Sequence, residues 1–304
     1  MSKPSHSLNL DKFLVRPGKR VRLKDFDPKF SDGFTNKDEA KVALDEDKQM
    51  LSEAQELLFA SGMHSVLIIF QAPDAAGKDG AIKHVMSGIN PQGCEVTGFR
   101  APNEEERSHH FMWRPMRFLP GRGRISIFNR SYYEEVLVVR VHPAFLENQY
   151  LPPTHQEKLV KGKLDSIWKD RFDDINSFEK HATRNGMCII KFFLNVSQEE
   201  QRQRLLQRLA EPAKHYKFSA ADLRERPFWK EHRHATEDML ENTSTDWAPW
   251  YVIPADKKWF TRAVVADVIA QRIKDLKLRL PKTTDKQLAG IKDSRKILEA
   301  DKGR

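Results

Sequence analysis

The residues best suited to chemistry form a short loop between an apolar run and a helical segment. The apolar run is Ser65-Val66-Leu67-Ile68-Ile69-Phe70, and the loop after it is Gln71-Ala72-Pro73-Asp74-Ala75-Ala76-Gly77-Lys78-Asp79-Gly80. In phosphate-binding loops of the pattern GxxxxGK[ST], backbone N–H groups and a helix N-terminus hold phosphate oxygens while the lysine neutralises them. The Gly-Lys pair is kept here and predicts phosphate binding by Ala75, Ala76, Gly77, Lys78, Asp79 and Gly80.

The loop departs from that pattern at two positions. Ala72 stands where the first glycine belongs, and Asp79 stands where a Ser or Thr hydroxyl would hold the metal. A carboxylate beside phosphates is repelled unless a divalent cation lies between them, so Asp74 and Asp79 predict Mg²⁺, or Mn²⁺ in its place. Because Gly-Lys pairs are common, an ordinary strand-to-helix turn remains the alternative for the loop alone.

Composition narrows the class of protein. The 304 residues carry a formal net charge of +9, which favours a polyanionic partner such as nucleic acid, nucleotide, polyphosphate or an anionic membrane surface. No apolar run approaches the ~20 residues that span a bilayer, and the first ten residues lack the apolar core of a signal peptide. We therefore expect a soluble cytoplasmic protein, with Cys94 and Cys188 as buried structural thiols.

The order of apolar runs and helical patterns predicts an α/β fold. Strands are expected at 65–70, 94–99, 125–128 and 187–196, with a last short strand before residue 254. Helical patterns cover 36–61, 81–86, 156–183 and 260–280, and further helices begin near 104, 197 and 219. We predict an N-terminal arm over 1–35, one domain over 36–280 with a helical lid at about 200–235, and a charged tail over 281–304 that frays.

The third predicted strand leads into a polar segment, Asn129-Arg130-Ser131-Tyr132-Tyr133-Glu134. In open α/β sheets ligands bind outside the carboxyl ends of the strands. We therefore expect Arg130 and Glu134 beside the phosphate loop. The alternative for this segment is a simple helix start capped by Ser131.

Two further groups of cations suit a polyanion. Arg107, Arg114 and Arg117 have the spacing of one helix face, with Pro115 as a potential kink, and Arg122 follows. Arg208 and Lys217 lie in two basic helices and their connector, a pattern typical of a lid that closes over reacting phosphates. A solvated basic surface is the alternative for both groups.

Together with the segment Ala248-Pro249-Trp250-Tyr251-Val252-Ile253, these motifs resemble those of the family-2 polyphosphate kinases, from about Asp25 to Leu280. The resemblance implies a three-layer, thymidylate-kinase-like P-loop fold with a mostly parallel sheet and a helical lid. It implies Mg²⁺-dependent phosphoryl transfer between inorganic polyphosphate and a nucleotide, and a homo-oligomer (dimer or tetramer) without nucleic-acid or membrane partners.

The resemblance also implies residue roles. Asp74 and Lys78 match the acidic and basic loop positions, Arg130 matches the arginine after the third strand, and Arg208 is similar to the lid arginine. Many members have a metal-binding Asp where this chain has Asn129, so Glu134 joins Asp74 and Asp79 as a candidate metal ligand. The implied catalytic set is Asp74, Lys78, Arg130, Glu134 and Arg208, and the implied polyphosphate channel adds Arg114, Arg117, Arg122 and Lys217.

The Asn-Arg-Ser-Tyr-Tyr-Glu version of the strand end resembles the subgroup that accepts both AMP and ADP, giving ADP and ATP. Two other classes of function remain open. An ATP-dependent nucleoside monophosphate kinase fits the loop and lid but neither the missing Ser/Thr nor the many arginines. A non-catalytic nucleic-acid binder fits the basic charge, but the sequence has no recognisable aromatic motif for it.

Overall fold

In this computed structural model the described residues are 8–34 and 36–301, without the side chain of Lys217. The five strands are β1 (Ser65–Gln71), β2 (Cys94–Gly98), β3 (Ile125–Asn129), β4 (Met187–Asn195) and β5 (Trp250–Pro254). The α-helices of the described residues are α1 (Lys37–Ser61), α2 (Lys78–Val85), α3 (Glu104–Ser108), α4 (Trp113–Met116), α5 (Val138–Val141), α6 (Pro153–Val160), α7 (Leu164–Arg184), α8 (Gln198–Ala210), α9 (Ala220–Glu225), α10 (Trp229–Thr243), α11 (Lys258–Lys274) and α12 (Asp285–Ala300).

The strands form one parallel sheet in the order β2-β3-β1-β4-β5. All seven residues of β1 are buried, as expected of a parallel strand that is covered on both faces. Val66 and Ile68 pack on one side with α1, α2 and α11, whereas Leu67 and Ile69 pack on the other with α7 and α10. The predicted three-layer α/β fold is confirmed.

The topology places the loop after β1 at a switch point. The connection that leaves β1 runs to β2 at one edge of the sheet, and the connection that leaves β4 runs to β5 at the opposite edge. Such a reversal opens a crevice at the carboxyl ends of the strands, which is where α/β proteins bind ligands. The loops that follow β1, β3 and β4 meet there.

The N-terminal segment packs against the sheet. Leu14 makes an antiparallel bridge to Tyr251 in β5, and its buried neighbours Phe13 and Val15 enter the cores on opposite faces of the sheet. The segment therefore contributes core side chains and covers the edge of β5, and such cover protects an edge strand from pairing with other chains.

Two helix predictions were wrong in detail. The helix expected over 156–183 is interrupted between α6 and α7, where Gly162 has a φ of 66°, a conformation that only glycine adopts at little cost. The segment with Arg107 and Arg117 is two short helices, because the chain is extended at His109. The charged tail contains α12, which begins with a capping box formed by Thr284 and Gln287 and buries no residue; that this tail frays stays a prediction.

Within the described residues, no helix is both long enough and apolar enough to cross a bilayer.

Candidate active site

The phosphate loop occupies the central crevice and leads into α2, which begins at Lys78. Ala75 and Gly77 both lie in the left-handed region, with φ values of 59° and 107°. This conformation costs a non-glycine residue about 1–2 kcal/mol, so Ala75 is held there by its surroundings. The loop thereby places the N-terminus of α2, with its unpaired N–H groups, at the crevice.

A buried arginine that the sequence analysis missed supports this loop. Arg204, in α8, donates hydrogen bonds to the carbonyl oxygens of Ala75 (3.2 Å), Ala76 (2.7 Å) and Ala255 (2.6 Å). Gln201, one turn earlier, donates to the carbonyl of Asp74 at 3.0 Å. The first half of the lid is therefore attached to the loop through the carbonyl oxygens of the loop, and these hydrogen bonds do not use its N–H groups.

Lys78 is the loop's cation, and its side chain is 8% exposed. Its Nζ donates to the carbonyl oxygens of Ala72 at 3.0 Å and Pro73 at 3.5 Å. Burial, followed by the charge of Arg130, lowers the pKa of Lys78 to about 8, although Asp74 and Glu134 act in the opposite direction. An arriving phosphate would supply the missing negative charge and favour the protonated lysine.

Arg130 connects the third strand to the loop. Its guanidinium forms ion pairs with Asp74 and, at 3.1 Å, with Glu134, and Glu134 also accepts a hydrogen bond from Gln71 at 2.9 Å. The charge of Glu134 raises the pKa of Arg130 above its ordinary value, against burial and with help from Asp74. The backbone φ of Arg130 is 65°, so a strained residue presents this side chain.

The carboxylates predicted as metal ligands lie on this same edge. Asp79 accepts a hydrogen bond from Asn129 at 2.8 Å, while Asp74 and Glu134 share Arg130. Carboxylate oxygens are hard ligands of the type that Mg²⁺ prefers. The chemistry of these carboxylates suits Mg²⁺, but the three do not form one cluster: no choice of one oxygen from each brings all three within 4.8 Å of one another. Asn129 stands at the position of the Walker-B carboxylate and donates to Asp79 instead.

The lid contributes a second charge pair. Arg208 in α8 forms an ion pair with Asp222 in α9 at 3.2 Å. Burial and the charge of Asp74 raise the pKa of Asp222 above its ordinary value.

The cleft beside the loop is lined by residues 74–81 and by both members of this pair. It is also lined by three cations that sequence reasoning missed: Lys214, Lys258 and Arg262. Lys258 and Arg262 lie in the first turns of α11, just after β5. Because ligands bind at the carboxyl ends of the strands, this position in the sequence could have indicated them as site residues.

The predicted polyphosphate arginines are not all brought together. Arg114 lines a cavity next to the cleft and pairs with Glu106 at 3.2 Å, and Arg117 is exposed over the ring of Trp113 at 4.7 Å. Arg122 donates to the carbonyl of Met63, before the start of β1 and so at the opposite end of the sheet. The side chain of Lys217 lies outside the described part of the chain.

The phosphate loop follows the central strand of a parallel sheet and carries a buried lysine. Carboxylates and an arginine lie beside that lysine, and a helical lid follows in the chain. These features define a P-loop phosphotransferase. The family model "Polyphosphate kinase 2 (PPK2)" matches residues 34–159 and 154–281. The chain belongs to this family.

Relatives and a solved structure agree with that assignment. The chain is 47% identical over 272 residues to an ADP-polyphosphate phosphotransferase of Rhodopseudomonas palustris, with 90% of this chain and 92% of that protein covered. It is 40% identical over 273 residues to an AMP/ADP-polyphosphate phosphotransferase of Meiothermus ruber, with 90% and 96% covered. The crystal structure of polyphosphate kinase 2 from Arthrobacter aurescens TC1 matches with a TM-score of 0.79 at 38% identity, over 89% of this chain and 91% of that one. These matches do not favour an ATP-dependent monophosphate kinase.

Proposed function

We propose that this protein transfers the terminal phosphoryl group of inorganic polyphosphate to AMP and to ADP in the presence of Mg²⁺, giving ADP and ATP. The observation that carries the proposal is the position of Arg130, whose guanidinium bridges Asp74 and Glu134 beside Lys78. This places two cations and two carboxylates around one point at the mouth of the phosphate loop.

Two adjoining spaces suit a donor and an acceptor. The cleft beside the loop is walled by cations, whereas a neighbouring cavity of about 810 Å³ is lined partly by apolar side chains such as Val139, Phe145 and Trp229. Asp74, Arg130 and Asp222 line both spaces. We assign polyphosphate to the basic cleft and the acceptor nucleoside to the cavity, so that the reacting phosphates meet at the shared residues.

The chemistry requires positioning and charge stabilisation more than covalent assistance. Lys78 and Arg130 neutralise oxygens of the transferred group, and Arg208 adds a third cation when it exchanges Asp222 for phosphate. Asp74, Asp79 and Glu134 are the candidates to hold Mg²⁺, which when bound would screen the negative charge between donor and acceptor phosphates. Linear polyphosphate needs no sequence readout, so Lys214, Lys258 and Arg262 can bind it through charge alone.

Acceptor choice is the point on which the two relatives differ, since one is named for ADP and the other for AMP and ADP. The test is product chromatography after the protein is mixed with Mg²⁺ and long-chain polyphosphate, with AMP in one tube and ADP in another. We expect ATP from ADP, and both ADP and ATP from AMP.

Each other outcome has a defined meaning. If only ADP reacts, the phosphotransferase assignment stands and the AMP/ADP proposal fails. If neither reacts with polyphosphate but ATP phosphorylates a monophosphate, the donor proposal is wrong. The cytoplasmic location and the dimer or tetramer implied by the resemblance stay predictions.

A further inference from the structure

Three potential metal ligands converge outside the phosphate cleft. His142 follows α5, Glu225 ends the lid helix α9, and His232 lies in the first turn of α10. One oxygen of Glu225 lies 2.8 Å from Nε2 of His142 and 2.9 Å from Nε2 of His232. All three atoms lie within 4.8 Å of one another, and no other such group of His, Cys, Asp or Glu occurs among residues 8–34 and 36–301.

We propose that His142, Glu225 and His232 form a binding site for a divalent transition-metal ion of the Zn²⁺ type. Two imidazole nitrogens and one carboxylate oxygen are a donor set that zinc sites use, with a fourth position left for water. Mg²⁺ and Ca²⁺ prefer all-oxygen sites, so this cluster differs in chemistry from the carboxylates at the phosphate loop.

The surroundings suit an ion that enters from solvent and stays. The three side chains are 21%, 34% and 25% exposed in the order His142, Glu225, His232, so the site is accessible but partly enclosed.

Neighbouring aromatic rings restrict the first histidine. The ring of His142 packs edge-on against Phe228 at 4.8 Å and lies 5.6 Å from Phe145. A ligand whose ring is held in place loses less conformational freedom when a metal binds.

The location gives the site a structural consequence. Glu225 ends α9, the helix whose Asp222 pairs with Arg208. His142 follows α5, and His232 lies near the start of α10, within the predicted lid range but on a helix whose later residues Ala235, Met239 and Leu240 pack in the core. An ion bound to all three would hold the end of α9 against α5 and α10. Since Glu225 and His232 also line the cavity next to the phosphate cleft, this attachment lies at the side of the lid that faces the proposed acceptor.

The test uses the full chain, freed of metal with a chelator, and titrated calorimetrically with Zn²⁺ in excess Mg²⁺. We expect one site per chain, weakened at least about tenfold by His142→Gln, His232→Gln or Glu225→Gln, since loss of even supporting residues around a metal costs about 10- to 100-fold in affinity. The matched control is His234→Gln, two residues after His232 on the same helix and 72% exposed, which should bind as the wild type does.

A second readout keeps the proposal falsifiable if a variant folds poorly. Co²⁺ bound to this donor set should give a visible absorption band that Glu225→Gln weakens, in protein whose circular dichroism matches the wild type. Equal Zn²⁺ affinity in the wild type and all three variants would overturn the proposal. It would also be overturned if the wild type bound no Zn²⁺ in the presence of excess Mg²⁺. The measurement needs no turnover, so its result is independent of the proposed function.

Discussion

At the scale of single residues, the site depends on Lys78, whose charge in the free protein changes with pH close to neutrality. Burial beside Arg130 lowers the pKa of Lys78 to about 8. Below that pH the ammonium can neutralise a phosphate oxygen; above it, the free protein has a neutral amine there. Phosphate binding is therefore coupled to proton uptake by Lys78.

We predict that affinity for polyphosphate falls between about pH 7 and pH 9 because Lys78 loses its proton in the free protein across that range. Calorimetric titration with polyphosphate of defined length measures this. Lys78→Met should bind weakly at both pH values, with no inflection near pH 8. Lys83→Met, which alters an exposed lysine of the same helix, should keep the wild-type profile, and a flat wild-type profile would contradict the prediction.

Residues of the site differ in how far the sequence reveals them. Asp74, Lys78, Arg130 and Glu134 were predictable because each follows a buried strand, and parallel strands bring their carboxyl ends together. Arg204 was not predictable, because its carbonyl partners are distant in the chain: Ala75 and Ala76 lie 129 and 128 residues earlier, and Ala255 lies 51 residues later. Only the packing of α8 on the loop makes it part of the site.

At the scale of elements, a buried network fixes the turn that presents Arg130 and Glu134. Lys191, in β4, donates to Glu179 of α7 at 2.6 Å and to the hydroxyl of Tyr133 at 2.8 Å. Tyr132 and Tyr133 both donate to Glu179, at 2.7 and 2.8 Å. Lys191 and Glu179 are fully buried, so the turn after β3 is attached through its tyrosines to the interior of the domain.

We predict that Lys191→Met destabilises the fold by about 3–5 kcal/mol, because it leaves the buried carboxylate of Glu179 without its cation. Urea unfolding measures the change. Adding Glu179→Gln should recover part of the loss, while Lys169→Met, at an exposed position of α7, should change stability by less than about 0.5 kcal/mol. A Lys191→Met variant as stable as the wild type would show that the network does not hold this turn.

The sequence could not reveal this network. Lys191 interrupts the apolar run of β4, which predicted only a strand covered on both faces, and Glu179 is one charge among many in α7. Their pairing depends on how α7 crosses the sheet, and the spacing of either segment alone does not determine that. The break between α6 and α7 was missed for a simpler reason: the helical pattern continues across Gly162.

At the scale of the whole molecule, the fold follows from the order of buried strands and amphipathic helices, and the net charge of +9 favours an anionic substrate. Charge composition did not show where the cations gather. Lys258 and Arg262 lie at the cleft, whereas Arg122 lies at the far end of the sheet. The position of a cation after a buried strand indicates some of the cleft residues, such as Lys258 and Arg262, but only tertiary structure shows that Arg122 lies away from the cleft.

We predict that raising the ionic strength from about 0.05 to about 0.5 M increases KM for long-chain polyphosphate more than KM for the acceptor nucleotide, because salt screens the exposed cations of the cleft. Arg262→Gln should raise KM for polyphosphate and reduce its salt dependence. The control Arg295→Gln, on the exposed helix α12, should leave both unchanged. Equal salt effects in the Arg262 and Arg295 variants would mean that the cleft does not carry polyphosphate.

The most direct test of the central claim, that phosphoryl transfer from polyphosphate takes place at the phosphate loop, is the turnover of Lys78→Ala with polyphosphate and ADP. We predict a loss in kcat of at least about 100-fold, the order of magnitude that removal of one stabilising charge in a transition state costs, in a protein that keeps the wild-type circular dichroism spectrum. Lys83→Ala should keep nearly full activity. Near-wild-type turnover by a folded Lys78→Ala variant would contradict the account.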